Sequence, residues 1–498
     1  MKLKVKDVDI STGGTHVAIM NEKDAGKIGA YKGDRIQIKK GNMATIAIID
    51  IAESTKVFPT GTIALFEEVI SELKVNESDI VDVSLENKPD SIQFIKNKLN
   101  GKRLAYHEIY TIVKDIVDNK LSESEITYFV SACYINALNT DETVGLTKAM
   151  VETGETLKLE PPVFDVHCIG GVAGNRTTPI VVPIVAAAGL VIPKTSSRAI
   201  TSPAGTADTL EVITPVSFTI DEMRNIVKQT NGCMVWGGAV LLAPADDKII
   251  KLEYSLGIDA QAQMLASVIA KKKSVSATHV LIDIPVGKGA KIQDMRDALF
   301  LKKRFKQIGQ RLGITFEVMI SNGSQPIGNG IGPVLEMKDV LKVLKNSPLA
   351  PLDLKEKSIS MAGLILEMGR KAKRGDGKRI AKEILDSGKA FEKFVEIINA
   401  QHGKVPTESD LEPGKFSYAF PAYASGKIVH IDSNFLSKIA RAAGNPQDKK
   451  AGVYLHKHMN QRVTIGEPLL TVYAQSKQKL SYSIELLKQS GFDAVMIK

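Results

Sequence analysis

From about residue 160 onward, short β-branched runs alternate with apolar helical runs, and this alternation is the strongest constraint on the fold. The alternating segments are, in order, the strand FDVHCIGG, the helix TPIVVPIVAAAGL, and the strands LVIPKTSSR, HVLIDIPVGKG and FEVMISNG. Strands that alternate with helices usually pair in parallel, because each connection crosses the sheet through a covering helix. The sequence therefore predicts an α/β domain with a largely parallel sheet over residues 158–415.

The rest of the chain follows other patterns, so we expect a multidomain α/β protein. Residues 1–85 contain β-branched runs between glycine turns, which predicts a barrel-like, β-rich N-terminal domain. Residues 86–157 have a helical period, and Ser122 and Glu125 have the spacing of a capping box at the start of one predicted helix. Residues 416–498 return to strands separated by glycine turns and predict a β-rich C-terminal domain.

Composition argues against several classes of protein. No apolar run reaches the roughly 18 residues that a membrane span needs. The N-terminal MKLKVKDVDI lacks the apolar stretch of a secretion signal, so we expect a cytoplasmic protein without a membrane partner. Cys133, Cys168 and Cys233 form no CxxC pair, which argues against disulfides and a cysteine zinc site. The net charge of +9 is dispersed and accompanies no nucleic-acid-binding motif, so we expect no nucleic acid partner. Runs such as AKKKS (270–274) are interpreted as solvated.

A glycine-lined turn joins the first strand of the predicted α/β domain to the following helix. The stretch is DVHCIGGVAGNRTTP (165–179), with Gly170, Gly171 and Gly174 between strand and helix. Glycine lets backbone N–H groups approach an anion closely, and the helix N-terminus adds positive potential. Thr178 adds a hydroxyl group. The turn therefore favours a phosphate site, although glycines at such a junction also form plain tight turns.

A second turn, TSSRAITSPAGTADTLE (195–211), concentrates hydroxyl groups, an arginine and a glycine in one connection. It resembles the signature of the thymidine and pyrimidine-nucleoside phosphorylase family, which reads Ser, Arg, a small residue and then Gly-Thr-x-Asp-x-Leu-Glu. The matching positions are Ser196, Arg198, Gly205, Thr206, Asp208, Leu210 and Glu211. The resemblance continues through the glycine-lined turn, WGGAVLLAPADD (236–247), SLGIDAQAQMLASVIAKKK (255–273) and LIDIPVGKGAK (281–291). It covers most of the chain from about residue 86 onward.

The predicted N-terminal domain precedes the segment where bacterial nucleoside phosphorylases begin. This N-terminal domain and the sequence IPKTSSRAITS together resemble the archaeal branch of the family, which acts on nucleoside 5′-monophosphates. The resemblance implies a pentosyltransferase that converts AMP, and also CMP or UMP, with phosphate to the free base and ribose 1,5-bisphosphate. It also implies a homodimer or a larger homo-oligomer. Inorganic phosphate is then a co-substrate, and we expect neither a redox cofactor nor a metal.

The family pattern implies which residues form the site. Nucleotide contacts are implied at Gly171, Ser197, Arg198, Ala199, Ile200, Thr201, Ser202, Thr206, Ser267 and Lys291. The side chains expected to bind phosphate are those of Ser196, Thr178, Thr206 and Arg198. Asp259 is implied as the proton donor, because the leaving base gains electron density and must be protonated or hydrogen-bonded. The structural alternative is that Asp259 only caps the helix AQAQMLASVIAKKK.

Other polar positions are weaker candidates. Lys271 lies one turn after Ser267 on the predicted helix, where a matching pair in nucleoside phosphorylases contacts the base, but it also belongs to the KKK run. His167 is suited either to polarising the base or ribose or to structural packing at the strand end. Asp246 and Asp247 lack a neighbouring carboxylate or histidine cluster, so we interpret them as structural rather than metal-binding.

The glycine-lined turn departs from the family at two positions. Most relatives read Asp-Lys-His-Ser where this chain has Asp165, Val166, His167 and Cys168, so the lysine and serine expected to hold phosphate are absent. Loss of the lysine contact, worth roughly 1.5–3 kcal/mol, predicts about 10- to 100-fold weaker use of phosphate. We expect binding mainly through backbone dipoles, and we do not expect Cys168 to be a nucleophile. Two alternatives stay open: a thymidine or pyrimidine-nucleoside phosphorylase, and a catalytically weakened nucleotide-binding paralogue.

Overall fold

The computed structural model describes residues 1–199, 202–258, 260–489 and 494–498. The strands are β1 (Lys2–Asp7), β2 (Val17–Asn21), β3 (Arg35–Lys40), β4 (Met43–Ala52), β5 (Thr62–Leu65), β6 (Ile80–Glu86), β7 (Phe164–Cys168), β8 (Ile192–Ser196), β9 (Gly232–Trp236), β10 (His279–Val286), β11 (Thr315–Asn322), β12 (Gly330–Ile331), β13 (Phe416–Pro421), β14 (Gly426–Ile431), β15 (Gly452–Leu455), β16 (Arg462–Val463), β17 (Pro468–Ala474) and β18 (Val495–Ile497).

The helices follow the same chain order. They are α1 (Glu22–Lys27), α2 (Glu67–Leu73), α3 (Ser91–Leu99), α4 (Tyr106–Val117), α5 (Glu123–Ile135), α6 (Thr140–Glu152), α7 (Thr178–Ala187), α8 (Thr206–Leu210), α9 (Ile220–Thr230), α10 (Pro244–Leu256), α11 (Gln261–Ser274), α12 (Met295–Leu312), α13 (Pro333–Leu344), α14 (Leu352–Met368), α15 (Gly377–Asp386), α16 (Lys389–Ala400), α17 (Ser433–Ala442) and α18 (Lys477–Gln489). In the described part of the chain, no helix is both long and apolar enough to cross a membrane.

The chain divides into two compact units. Unit 1 comprises Met1–Gly154 and Ala243–Ala270, and unit 2 comprises Glu155–Leu242 and Lys271–Lys498. In unit 1, the first six strands close into a barrel in the order β1-β5-β2-β4-β3-β6. Alternate side chains of each strand point inward, so the β-branched runs of this segment supply an apolar barrel core.

A helical cluster forms the other part of unit 1. Helices α3 to α6 pack with α10 and the first part of α11 around Ile112, Phe129 and Leu146. Helix α5 begins with the predicted capping box, in which the Glu125 N–H donates to Ser122 Oγ at 3.3 Å. The Ser122 N–H donates in return to Glu125 Oε2 at 2.9 Å. The capping signal therefore marks the true start of this helix.

The parallel sheet lies in unit 2. Strand β10 pairs in parallel with β7 and β11, and β8 pairs in parallel with β9. An isolated parallel bridge joins Val163 to Val191, the residues just before β7 and β8. Helices α7, α14 and α16 bury their apolar faces in one cluster that includes Ile180, Ile365 and Phe394. Ligands of open α/β sheets bind beyond the carboxyl ends of such strands, where the glycine-lined turn follows β7.

The C-terminal segment of unit 2 contains helices as well as the predicted strands. Its sheets have the orders β12-β15-β17-β13 and β16-β14-β18. Helices α17 and α18 pack with them around Leu436, Val472 and Leu487. These two helices were not predicted from the sequence, because β-branched runs and glycine turns dominate the segment around them.

Candidate active site

The glycine-lined turn runs from the end of β7 to the start of α7. Gly171 has a φ of +92°, in the left-handed region that favours glycine. A Cβ atom at this position would lie 2.2 Å from the backbone nitrogen of Lys291. The turn therefore packs its bare backbone against the loop that carries Lys291, so two residues implied by the family pattern are neighbours. Thr178 opens α7 and is half-buried.

The hydroxyl-rich turn between β8 and α8 is organised by Asp208. Its Oδ2 atom accepts hydrogen bonds from the N–H groups of Ala199 and Gly205, both at 2.7 Å. A Cβ atom at Gly205 would lie 2.4 Å from the carbonyl oxygen of Ser197, so the turn closes tightly on itself. Ser202 Oγ donates to the carbonyl of Ala204 at 2.6 Å. Asp208 therefore holds the backbone of the turn in one shape.

Arg198 is engaged within this same turn. Its guanidinium donates to both carboxylate oxygens of Glu211, at 2.8 and 2.7 Å, and to Asp208 at 3.4 Å. It also lies over the ring of Trp236, 4.7 Å from the centroid. The hydrogen bond from Arg198 holds the pKa of Glu211 at about 2. Since these contacts occupy the guanidinium, direct binding of phosphate by Arg198 stays a prediction.

Arg176 joins the two turns. It belongs to the glycine-lined turn, and its Nη2 atom donates to the carbonyl of Ala204 in the hydroxyl-rich turn. Its Nε atom donates to Thr209 Oγ1 at 3.1 Å and to Glu336 Oε2. A buried arginine needs such a complete set of acceptors. The structure thus brings the two turns together.

One face of β7 carries Asp165 and His167. Asp165 is fully buried, and its Oδ2 atom lies 2.8 Å from Lys272 Nζ. Its Oδ1 atom lies 3.8 Å from Lys194 Nζ. Lys194 Nζ also donates to the carbonyl of Thr195. Two buried lysines, one from β8 and one from α11, therefore share one carboxylate beside the strand that leads into the glycine-lined turn.

The electrostatics of His167 reflect this concentration of lysines. Burial lowers the pKa of His167 well below its usual value, and positive charges lower it further, in decreasing order those of Lys272, Lys194, Lys271 and Lys291. The imidazole is therefore neutral at pH 7. A neutral imidazole both donates and accepts hydrogen bonds, so it suits contact with an uncharged part of a ligand.

The opposite face of β7 carries Val166 and Cys168. Val166 is buried in the apolar cluster beneath helices α7 and α14. Cys168 is paired in register with Asp283 of β10, whose carboxylate accepts a hydrogen bond from Ser321 Oγ at 2.6 Å. Lys357 Nζ of α14 lies 2.7 Å from Asp283 Oδ2. Burial and the Asp283 carboxylate raise the pKa of Cys168 to about 12, so its side chain is a neutral thiol at pH 7.

The remaining predicted residues are distributed as follows. Ile200, Thr201 and Asp259 lie outside the described residues, so the implied proton donor stays a prediction. Ser267 belongs to unit 1, where its Oγ atom donates to Asp246 Oδ2 at 2.8 Å. Lys271 belongs to unit 2 and is half-buried on α11.

Three hydroxyl residues of the hydroxyl-rich turn occupy different environments. Ser197 is exposed and Thr206, the first residue of α8, is half-buried. Ser196 Oγ is buried without a hydrogen-bond partner among the described residues. A buried hydroxyl group that lacks a partner is unusual and marks a position where a ligand atom or water is expected.

Two lysines near the site were missed by the sequence analysis. Lys272 was assigned to a solvated run, yet it is only 2% exposed. Lys194 is the central residue of β8, between Pro193 and Thr195, and is 4% exposed. The sequence offered one signal, which was that Lys194 lies inside a strand predicted to be buried. A buried lysine needs a carboxylate partner, so this position could have predicted an ion pair.

Known protein families match three segments of this chain. The helical bundle domain of a glycosyl transferase family matches residues 92–154. The α/β domain of a glycosyl transferase family matches residues 160–391. The C-terminal domain of pyrimidine nucleoside phosphorylases matches residues 428–491. These matches confirm a multidomain α/β architecture.

Similar proteins cover almost the whole chain. An AMP phosphorylase of Methanocaldococcus jannaschii is 44% identical over 98% of this chain and 96% of its own length. A Legionella pneumophila protein, provisionally named a thymidine phosphorylase, is 44% identical over 91% of this chain and 87% of its own. The crystal structure of anthranilate phosphoribosyltransferase from Thermus thermophilus has a similar fold, with a TM-score of 0.53 and 17% identity. That likeness covers 62% of this chain and 99% of the other.

Proposed function

The chain belongs to the family of AMP and pyrimidine-nucleoside phosphorylases, and from this premise we propose that it cleaves nucleoside 5′-monophosphates by phosphorolysis. AMP, and also CMP or UMP, would react with phosphate to give the free base and ribose 1,5-bisphosphate, so the enzyme is a pentosyltransferase of nucleotide salvage. The observation that carries the proposal is 44% identity to an AMP phosphorylase over 98% of the chain, barrel segment included.

The geometry of the two turns supports an anion site. Arg176 ties the glycine-lined turn to the hydroxyl-rich turn, so backbone N–H groups and hydroxyls lie in one region. Gly171 exposes its backbone beside Lys291. Phosphorolysis needs one group that holds phosphate and another that stabilises the leaving base. We assign the first role to the two turns.

The residue roles carried from the family pattern remain part of the proposal. Nucleotide contacts are proposed at Gly171, Ser197 to Ser202, Thr206, Ser267 and Lys291, with Lys271 as a further candidate for the base. Ser196 and Thr178 are proposed to contact phosphate. Asp259 is proposed to protonate the leaving base. Its pKa would have to lie above the ordinary value of about 4 for that role.

The same proposal covers cofactors and assembly. Phosphorolysis changes no oxidation state, so inorganic phosphate is the only co-substrate it requires and a redox cofactor has no step to perform. We propose a homodimer or a larger homo-oligomer, which size-exclusion chromatography with light scattering would measure. The cytoplasmic location stays a prediction.

A substrate panel tests the proposed function. The purified protein is incubated with AMP, CMP, UMP, adenosine and thymidine, each with and without phosphate, and the released base is measured by chromatography. We expect phosphate-dependent release from the monophosphates and much slower release from the nucleosides. Equal or faster use of the nucleosides would overturn the proposal.

Two other functions are supported by particular observations. The similarity to the Legionella pneumophila protein favours a nucleoside phosphorylase, for which rapid thymidine cleavage without activity on monophosphates would be decisive. The apolar Val166 and the neutral thiol of Cys168 favour a weakened nucleotide-binding paralogue. In that case calorimetry would detect AMP binding, but no base would be released at saturating phosphate.

A further inference from the structure

The cluster of Asp165, Lys194 and Lys272 has more positive than negative charge. Asp165 is 0% exposed, Lys272 is 2% exposed and Lys194 is 4% exposed. One carboxylate faces two ammonium groups, at 2.8 and 3.8 Å. If all three groups are charged, the cluster has a net charge of +1 inside the protein, which is unfavourable without a further anion.

Among the described residues, neither His167 nor Cys233 supplies that anion. His167 of β7 is neutral, since its pKa is lowered by burial and by the neighbouring lysines. The thiol of Cys233 in β9 has its pKa raised by burial and by Asp165, so it is also neutral at pH 7. Lys271 of α11 adds positive potential. Burial and then the charge of Lys272 lower the pKa of Lys194 to about 7.

The position of the cluster relates this charge to the anion site. The charges of Lys194, Lys272 and Lys291 all lower the pKa of His167. Lys291 meets the glycine-lined turn at Gly171. The charges of the buried lysines and of Lys291 therefore act on the same imidazole, and the glycine-lined turn begins two residues after it. The buried Ser196 Oγ, without a partner among the described residues, lies two positions after Lys194 on the same strand.

We propose that Lys194 and Lys272, which share Asp165, form the cationic part of the anion site, and that Lys194 takes up a proton from solvent when a phosphoryl dianion binds. Charge from the other face of β7 would thus replace the lysine that the family pattern has at position 166. This inference rests on the proposed function. The shared ligand chemistry is a tetrahedral dianion, either inorganic phosphate or the 5′-phosphate of a nucleotide.

The replacement Lys194→Met is the cleanest test. It leaves Asp165 and Lys272 as a one-to-one ion pair, so we expect the fold to persist, and the thermal unfolding midpoint checks this. Lys273→Met is the matched control, because Lys273 belongs to the same KKK run but is exposed. Calorimetry at pH 7 then measures the dissociation constants of phosphate alone, sulfate alone and AMP alone. Comparison of two buffers with different ionisation enthalpies gives the proton uptake.

Sulfate is the most informative probe, because it stays a dianion near pH 7 and any proton taken up goes to the protein. We expect the native chain to take up protons with sulfate, and Lys194→Met to take up none and to bind at least one of the dianions about 10-fold more weakly. Weaker binding of phosphate and sulfate only would assign the cluster to inorganic phosphate, and weaker binding of AMP only would assign it to the 5′-phosphate.

Two results would overturn the inference. One is unchanged affinity of Lys194→Met for phosphate, sulfate and AMP. The other is proton uptake that persists in this variant, which would assign the uptake to another group such as His167. If Lys194→Met is unstable, the same measurements on Lys194→Gln and the pH dependence of sulfate binding to the native chain can contradict the inference in its place. Because binding is measured without turnover, loss of the proposed function in the substrate panel is a separate outcome.

Discussion

On one face of β7 the carboxylate of Asp165 is shared by Lys194 and Lys272, whereas on the other face Asp283 meets Lys357. Both carboxylates are fully buried. The second arrangement is a charge-balanced pair, and Ser321 completes it with a hydrogen bond. The first arrangement places two lysines against one carboxylate. The two faces of one strand therefore differ in charge balance, and the proposed anion site takes its cations from the face that carries Asp165.

The largest expected effect comes from removing each carboxylate in turn. Asp283→Asn leaves one buried lysine unpaired, which typically costs about 3–5 kcal/mol. Asp165→Asn leaves two buried lysines facing each other, so its loss of stability should be larger. Thermal and urea unfolding midpoints of the two variants measure the difference. An equal or smaller loss for Asp165→Asn would show that Lys194 and Lys272 together place no more positive charge on Asp165 than Lys357 places on Asp283.

The pH dependence of stability tests whether Lys194 is protonated in the folded chain. The pKa of Lys194 is lowered by burial and by Lys272 from 10.5 to about 7. Between these values the unfolded chain binds more protons than the folded chain, so this group makes stability rise with pH. Lys194→Met removes that dependence. Between pH 7 and pH 10, the unfolding free energy of the native chain should therefore rise by about 2–4 kcal/mol more than that of the variant.

The control for this measurement is Lys273→Met, which loses a hydrogen bond to the carbonyl of Leu312 and should therefore differ from the native chain by the same amount at every pH. The comparison uses differences between chains, since the other titrating groups then cancel. The contradicting result is a difference in unfolding free energy between the native chain and Lys194→Met that is the same at pH 7 and pH 10. That result would mean that Lys194 is protonated over this range and that the cluster has a net charge of +1 without a ligand.

Adding a cation to the apolar face is expected to have the next largest effect. Val166→Lys combined with Cys168→Ser restores the side chains that most relatives have. A new charge-assisted hydrogen bond should lower the KM for phosphate about 10-fold. Val166→Met provides similar length without charge and serves as the matched control. Equal phosphate KM values for the two variants would mean that the face beneath α14 does not reach the anion.

Much of this organisation could be predicted from local patterns. The alternation of strands and helices gave the parallel sheet, and the capping box at Ser122 gave the start of α5. The glycines of one turn and the hydroxyls of the other marked two connections of unusual composition, and the structure shows that Arg176 joins them. Such features depend on residues close in sequence, so a single chain is enough to see them.

The charge arrangement depends on contacts distant in sequence. Lys272 and Asp165 are 107 positions apart, and only the packing of α11 beside β7 makes them partners. The KKK run therefore gave no sign that its middle lysine is buried while the next one is exposed. In the same way, nothing local indicated that Arg198 is held by Glu211, 13 positions later. The helices of the C-terminal segment were missed for a different reason, since neighbouring strand signals dominated there.

The smallest effect is expected from removing one hydroxyl group beside each of the two carboxylate clusters. Ser321 Oγ donates to the Asp283 carboxylate at 2.6 Å, whereas Ser196 Oγ has no hydrogen-bond partner among the described residues. Ser321→Ala should therefore cost about 1–2 kcal/mol, and Ser196→Ala should leave stability within about 0.5 kcal/mol of the native chain. Phosphate affinity should show the reverse order, because only Ser196 has an open hydrogen bond to offer a ligand. Urea unfolding and phosphate calorimetry on both variants test this, and a loss of stability in Ser196→Ala would place its hydroxyl among the structural groups.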